Sequence, residues 1–238
     1  MYRFVCRGWR CLQYIDDCVI SLQAQTIQDW KAYLIVDDAT PTEKIRLEQL
    51  EREDPRLIGV PLDTRVGVCC NMYCGIGGIT DAEDEDVICI LDLDDKLFTK
   101  KSLETVDNNY KKYPNTLCTY GSFIVSSTGK FHKICKPYPA DVNVRNYKWR
   151  ASHLKTFKYK VFKHVPQDYF MDNGRWGLAA SDLALMYCII ERAGLENCSF
   201  IKEPIYWYRW PTETTCNRGT QKKWRDIWKA KKPLSRVF

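Results

Sequence analysis

The first 95 residues alternate between short apolar segments and segments with helical periodicity. The apolar segments YRFVC, AYLIV, RLIGV and DVICIL have the length of buried strands, and three helical patterns separate them. A β-α-β-α-β-α-β order predicts parallel neighbours, because each helix returns the chain over the sheet in a right-handed crossover. The sequence therefore predicts an α/β fold in which helices flank one central, mostly parallel sheet.

The composition is that of one sizeable domain. The chain has 238 residues, of which 45% are hydrophobic, and this length suits a single core. No apolar run approaches the roughly 20 residues that a membrane-spanning helix needs, and the first residues contain no apolar signal core. We expect the 12 cysteines to be reduced thiols in a cytoplasmic protein, because disulfide scaffolds are typical of shorter, secreted chains.

Acidic residues follow two of the predicted strands. Asp37 and Asp38 come directly after AYLIV, and Asp92, Asp94 and Asp95 follow DVICIL. Ligands bind at the carboxyl ends of parallel strands, so we expect both acidic groups to face one crevice. Carboxylates crowded in this way repel one another unless a cation or water lies among them.

The spacing of Asp92 and Asp94 suits a shared metal ion. Side chains alternate along an extended segment, so these two carboxylates point to the same side. Mn²⁺ or Mg²⁺ is commonly held by one or two carboxylates together with phosphate oxygens of a substrate. The sequence therefore predicts Asp94 and Asp92 as metal ligands. The alternative is a solvated turn or an N-cap for the following helix.

The segment LDLDDKLF also resembles the first motif of haloacid-dehalogenase-type phosphatases. In that family Asp92 would be the nucleophile and Asp94 the acid. Lys96 stands where such enzymes place threonine or valine, and their motif normally lies near the start of the fold. A phosphatase, or a binding module without catalysis, is therefore kept as an alternative function.

Four short motifs occur in a fixed order along the first part of the chain. They are SLQAQT (Ser21–Thr26), VDDAT (Val36–Thr40), GVCCN (Gly67–Asn71) and LDLDD (Leu91–Asp95). In order and spacing they resemble the GT-A-type nucleotide-sugar transferases of glycosyltransferase family 2. Cys70 departs from the family pattern, which commonly has arginine before the asparagine.

The resemblance implies a domain division and a reaction. It implies one GT-A-type (Rossmann-like) domain over residues 1–210, with a nucleotide-sugar-binding half (1–95) and an acceptor half (96–210), followed by a basic aromatic tail (211–238). The implied reaction is metal-dependent and inverting. A sugar moves from a nucleoside-diphosphate sugar, expected to be a UDP-sugar, to a hydroxyl of a glycan, glycolipid or glycoprotein.

The resemblance also implies roles for single residues. Asp182, at the start of the segment SDLALMYC, would be the catalytic base; the alternative is a carboxylate favoured by the helix dipole. Asp38 is placed to accept a hydrogen bond from the imide of a uracil or thymine ring, and Arg209 to contact phosphate. The donor-binding candidates are Arg7, Asp37, Asp38, Arg65, Asn71, Asp92 and Arg209.

The second half of the chain has a more mixed pattern. Residues 117–135 predict a hairpin that turns at Thr128 and Gly129. Further on, four apolar residues at helical spacing predict a buried segment: Leu154, Phe157, Val161 and Phe162.

The end of the chain is strongly basic, and the whole chain has a net charge of +6. Trp224, Ile227 and Trp228 fall on one face of a predicted helix that lysines and arginines surround. This helix could lie peripherally on an anionic membrane, or its tryptophans could pack back onto the catalytic domain. We predict no nucleic-acid partner.

Overall fold

The computed structural model of the chain describes residues 1–132, 135–210 and 217–238. The strands are β1 (Tyr2–Gly8), β2 (Trp30–Val36), β3 (Leu57–Pro61), β4 (Val87–Asp92), β5 (Lys96–Leu97), β6 (Cys118–Val125), β7 (Lys130–Phe131), β8 (Lys155–Lys158), β9 (Met171–Asp172), β10 (Arg175–Trp176) and β11 (Cys198–Tyr208). The α-helices are α1 (Leu12–Gln23), α2 (Pro41–Glu53), α3 (Val68–Gly77), α4 (Ser102–Lys112), α5 (Tyr159–Phe162), α6 (Ser181–Ala193) and α7 (Arg218–Ala230).

The main sheet has the strand order β3-β2-β1-β4-β8-β6-β11-β5, and β7 pairs with β6. The first four of these strands are parallel to one another, which confirms the predicted α/β architecture. Strand β8 is antiparallel to both β4 and β6, and thereby joins the second half of the chain to the first. One sheet therefore runs through both predicted halves, and their division at residue 95 stays a prediction.

Helices cover both faces of this sheet. Along β1, Phe4 and Cys6 pack into a cluster with α1, α2 and α4, whereas Val5 packs into a second cluster with α3 and α6. Strands that are buried on both faces read as continuous apolar runs, which explains the composition of the four predicted strands. Thr40 caps the N-terminus of helix α2, where its side chain accepts a hydrogen bond from the Glu43 amide.

The predicted hairpin is present, and the segment with helical spacing is a helix only in its second part, α5 (Tyr159–Phe162). Ile124 of β6 lies opposite Phe131 of β7, and Gly129 in the turn has φ +64°. Leu154 and Phe157 are buried as expected, but residues 155–158 form strand β8 instead of a helix. The reason is tertiary: β4 and β6 offer backbone partners on both sides of this segment.

The basic helix α7 packs against the domain through its tryptophans. Trp224 is 7% exposed and Trp228 is fully buried. The Trp228 indole donates a hydrogen bond to the Ala179 carbonyl (3.2 Å), and any Cβ at Gly177 would collide with this ring. The structure thus favours the packing alternative for the tryptophans.

Contact between the lysines of α7 and a membrane stays a prediction, as does the cytoplasmic location. No helix within the described ranges combines the length and the apolar character needed to cross a bilayer.

Candidate active site

The predicted acidic groups lie at one edge of the sheet. The Asp37 amide donates a hydrogen bond to the Gly8 carbonyl (2.8 Å), and the Leu93 amide donates one to the Arg7 carbonyl (2.8 Å). The ends of β2 and β4 therefore flank the end of β1. This is the carboxyl edge of the parallel strands, where the sequence places the crevice.

Arg7 ties three elements together at this edge. Its Nη2 donates to Asp92 Oδ1 at 2.6 Å, and its Nη1 donates to Ser181 Oγ and to the Val68 carbonyl, both at 3.3 Å. The side chain is 9% exposed, and its Nε has no hydrogen-bond partner among the described residues. Arg7 is thus a buried counter-ion that holds the starts of α3 and α6 beside the end of β4.

The third carboxylate of LDLDD is part of the protein framework. Asp95 is 1% exposed and accepts hydrogen bonds from the Tyr206 hydroxyl (2.6 Å) and the Arg209 amide (2.7 Å). Burial, together with the neighbouring carboxylates of Asp94 and Asp92, raises the pKa of Asp95 well above its usual range. Asp95 therefore fixes the acidic segment to β11.

Asp92 and Asp94 fit a hard divalent cation in their chemistry. Both side chains are partly exposed, and both offer carboxylate oxygens, which Mn²⁺ and Mg²⁺ prefer. Arg7 engages Oδ1 of Asp92, so its Oδ2 is the oxygen left for a ligand. No group of three or more His, Cys, Asp or Glu side chains in the described ranges is arranged to hold a metal. The pair thus suits a site that diphosphate oxygens complete.

Asp182 lies in the same region as Asp92, because Arg7 contacts both Asp92 and Ser181, the residue before Asp182. It lies in the first turn of α6, directly after a backbone turn in which Ala180 has φ +55°. Its carboxylate makes no hydrogen bond or ion pair with any described residue. Burial raises the pKa of Tyr208 above its usual range, and the charges of Asp95, Asp92 and Asp182 raise it further. Asp182 is therefore partly exposed, free and close to the metal-ligand candidates.

The two aspartates of VDDAT have different surroundings. Asp37 is 4% exposed, and its two oxygens accept hydrogen bonds from the amides of Val66 (2.8 Å) and Gly67 (3.0 Å). Gly67 has φ +86°, a conformation that favours glycine. Asp38 is exposed, has φ +54° and makes no hydrogen bond with the described part of the chain. Asp37 thus shapes the loop before α3, and Asp38 is the carboxylate available to a nucleobase.

Arg65 lies against an aromatic ring that sequence reasoning missed. Its guanidinium carbon is 3.4 Å from the centroid of the Trp9 ring, and that of Arg10 is 4.5 Å from it. Trp9 directly follows β1 at the carboxyl edge. This position after a predicted strand is the sequence signal that could have identified it as a candidate site residue. The two guanidiniums place positive charge against this ring at the carboxyl edge.

The remaining donor-binding candidates, Arg209 and Asn71, differ in their hydrogen bonds to the rest of the protein. The Arg209 guanidinium donates to Asp17 (2.9 Å) and to the Asp94 carbonyl (2.8 Å), so it braces the acidic segment. Asn71 is 4% exposed, and its Oδ1 has no partner within the described ranges. Phosphate contact by Arg209 and donor contact by Asn71 stay predictions.

A separate surface groove of about 820 Å³ lies between the end of α4 and the start of β11. Asn108, Lys112 and Phe200 are among the residues that line it, and none of the predicted site residues does. The candidate active site therefore stays at the carboxyl edge of β1 and β4, where the predicted aspartates lie.

Lys155 and His153 belong to the basic-aromatic segment SHLKTFKYKVFK, which could steady a diphosphate or an acceptor, but neither residue has a predicted role of its own. Lys155 lies on β8, next to β4, and is 1% exposed. Its ammonium and the His153 imidazole are 3.0 Å apart. A buried lysine has no signature in the sequence, because its burial depends on the pairing of β8.

Comparisons with known proteins support the fold. No protein-family model and no curated protein sequence matches the chain. The structure of S. aureus TarS 1–349 matches with a TM-score of 0.63 and 13% identity, over 87% of this chain and 60% of that chain. The same TarS segment in complex with UDP-GlcNAc matches with a TM-score of 0.63 and 12% identity, over 89% and 59%.

A third match is the mannosyltransferase PcManGT from Pyrobaculum calidifontis in complex with GDP-Man and Mn²⁺. Its TM-score is 0.57 and its identity 14%, over 90% of this chain and 58% of that chain. The chain spans about three fifths of the length of these structures. Likeness at such low identity shows the fold, which is of the GT-A glycosyltransferase type, as the sequence motifs predict.

Proposed function

We propose that the chain is a metal-dependent, inverting glycosyltransferase. It would move a sugar from a nucleoside-diphosphate sugar, preferably a UDP-sugar, to a hydroxyl of a glycan, glycolipid or glycoprotein. The observation that carries this proposal is that Arg7 contacts both Asp92 and Ser181, and thereby brings the start of α6, with Asp182, to the end of β4. The fold neighbours support a nucleotide-sugar donor, since their structures contain UDP-GlcNAc in one case and GDP-Man with Mn²⁺ in another.

On the donor side, Asp94 and Asp92 would hold Mn²⁺ or Mg²⁺. When bound, such a cation screens the charge that develops on the leaving diphosphate. Arg7 fixes the orientation of Asp92 through their 2.6 Å ion pair. Asp38 would accept the imide N–H of a uracil ring, and the positively charged guanidiniums of Arg65 and Arg10, which lie against the Trp9 ring, would border the nucleotide.

On the acceptor side, Asp182 would act as the general base. It takes the proton of the acceptor hydroxyl while that oxygen attacks the anomeric carbon from the face opposite the diphosphate. The bond between the anomeric carbon and the diphosphate oxygen breaks, and its electron pair leaves with the nucleoside diphosphate. A single displacement of this kind inverts the anomeric configuration.

The alternatives differ in how the structure supports them. A haloacid-dehalogenase-type phosphatase has no support, because the fold is of the GT-A type and LDLDD follows the fourth strand of the chain, β4. Asp92, the nucleophile of that alternative, is also ion-paired with Arg7. A non-catalytic nucleotide-sugar-binding module would bind the donor at the same site but would not transfer the sugar.

A thermal-shift screen tests the donor site. We expect UDP, or failing that GDP or dTDP, to raise the Tm in the presence of Mn²⁺ and not in the presence of a chelator. A ligand at 100 times its Kd stabilises a protein by roughly 2.7 kcal/mol, so the shift is measurable. A shift of equal size without metal, or no shift with any of the three nucleotides, would contradict the proposed donor site.

A further inference from the structure

Helix α7 carries more positive charge than its packing on the domain uses. It contains five lysines and arginines and one acidic residue, Asp226. Its inner face is fixed by Trp224 and Trp228, which are both buried. Four of the five cations are exposed, and the fifth, Lys229, is half-buried. Neither the fold nor the candidate active site gives these charges a role.

Four of these cations form a line along the helix, which we call the basic stripe. They are Arg218, Lys222, Arg225 and Lys229, spaced i, i+4, i+7 and i+11. With 3.6 residues per turn, this spacing keeps them within about 60° of arc over a length of about 16 Å. Within the described residues the stripe makes one ion pair, between Arg225 and Asp226 (3.9 Å). The stripe therefore presents a row of positive charge to an anionic partner.

An exposed leucine adjoins this helix. Leu178 is 62% exposed, although both of its neighbours contact the Trp228 ring. The Trp228 indole donates a hydrogen bond to the Ala179 carbonyl (3.2 Å), and the same ring leaves no room for a Cβ at Gly177. Transfer of a leucine side chain from water to an apolar medium is favourable. Cations together with such a side chain suit a surface in which anionic groups cover hydrocarbon.

This surface is held in place before any partner binds. The Arg145 guanidinium donates a hydrogen bond to the Trp228 carbonyl and pairs with Glu191 of α6 (2.6 Å). Just after the helix, the Lys232 carbonyl accepts a hydrogen bond from the Tyr169 hydroxyl (2.7 Å). A surface that is ordered in advance loses little conformational entropy on binding. Docking through α7 therefore does not require the helix to leave the domain.

We propose that the basic stripe and Leu178 dock the domain on an anionic phospholipid membrane, while Trp224 and Trp228 stay packed on the domain. The stripe contacts the headgroups, and each lysine or arginine near such a surface strengthens binding about fivefold. A soluble polyanion would offer charge to the stripe but no apolar phase to Leu178, which favours the membrane. Helix α6 begins two residues after Ala179, so the docked surface adjoins the acceptor side of the candidate active site.

Vesicle co-sedimentation of the full chain tests this docking. The vesicles contain phosphatidylcholine alone or an equal mixture of phosphatidylcholine and phosphatidylserine. We expect the chain to bind the anionic vesicles at low salt, and to bind them far less at high salt because salt screens the charges. The triple variant Lys222→Gln, Arg225→Gln, Lys229→Gln should lower the partition by about 10²-fold. Leu178→Ser should lower it by about fivefold or more.

A matched control removes three exposed lysines at the two ends of α4. The variant Lys101→Gln, Lys111→Gln, Lys112→Gln has the same change in net charge and should bind as the parent does. All variants should keep the Tm of the parent. If the triple variant of the stripe does not fold, Lys222→Gln alone decides, with an expected loss of about fivefold.

Equal binding to neutral and anionic vesicles, or parent-like binding by the stripe variant, would overturn the proposal. Binding of soluble polyphosphate as tight as that of vesicles, with no effect of Leu178→Ser on either, would overturn it in favour of a soluble polyanion. The measurement needs no sugar donor and no turnover, so a negative result would leave the proposed glycosyltransferase function unaffected.

Discussion

Asp182→Asn is expected to lower sugar transfer by at least the roughly 10²-fold that loss of a general base costs. The amide keeps the shape of the side chain and cannot take the acceptor proton. Because the Asp182 carboxylate makes no hydrogen bond with the described residues, its replacement should leave the fold intact. The measurement is kcat at saturating donor. Mn²⁺-dependent binding of UDP to the same variant is measured by thermal shift.

Asp226→Asn is the matched control for this variant. Asp226 is an exposed aspartate on α7 that pairs with the neighbouring Arg225, and its loss should change neither rate nor binding. Loss of UDP binding together with activity in Asp182→Asn would place this residue on the donor side. A product that retains the anomeric configuration of the donor would remove the need for a base in this position.

Asp94→Asn should have an effect of similar or greater size, through the metal. The substitution removes a negative charge from the pair that would bind Mn²⁺ and keeps the side-chain shape. A Lewis acid contributes several kcal/mol of charge stabilisation, which corresponds to roughly 10²- to 10³-fold in rate. The measurement is turnover over a series of Mn²⁺ concentrations, because the loss should be largest when metal is limiting.

The Tm of Asp94→Asn without ligand should stay close to that of the parent, since Asp95 supplies the contacts to Tyr206 and Arg209. Asp63→Asn serves as a surface control, because Asp63 pairs with Lys44 in an exposed position. Sugar transfer by Asp94→Asn at the parent rate under limiting Mn²⁺ would show that Asp94 is not a metal ligand.

The first half of the fold could be predicted because its signals are local. Each of the first four strands is an apolar run with its own flanking helix, and parallel connectivity follows from that order. The meeting of Asp37 and Asp92 at one edge follows from the same topology. These predictions needed no knowledge of which distant segments pair.

The second half depends on distant pairing, and there the sequence signal was ambiguous. The spacing of Leu154, Phe157 and Val161 fits one face of a helix, yet the segment from residue 155 to 158 pairs with both β4 and β6. Short apolar runs are compatible with either structure, and available backbone partners decide between them. The burial of Lys155 follows from this pairing and was missed with it.

Within the candidate site, residue types could be predicted better than their partners. The motifs point to Asp37, Asp95 and Arg209, but Asp37 bonds the loop before α3 and Arg209 reaches Asp17 at the start of the chain. Such contacts join residues far apart in sequence, so no local pattern contains them.

The most direct test of the account is donor turnover by the parent chain. UDP-, GDP- and dTDP-sugars would be supplied with a mixture of glycan and glycolipid acceptors, with Mn²⁺ or with a chelator, and the released nucleoside diphosphate measured. We predict that nucleoside diphosphate is released from at least one donor with Mn²⁺ and not with the chelator. The product should have an inverted anomeric configuration. Release of no nucleoside diphosphate from any donor, or equal release in the chelator, would contradict a metal-dependent glycosyltransferase.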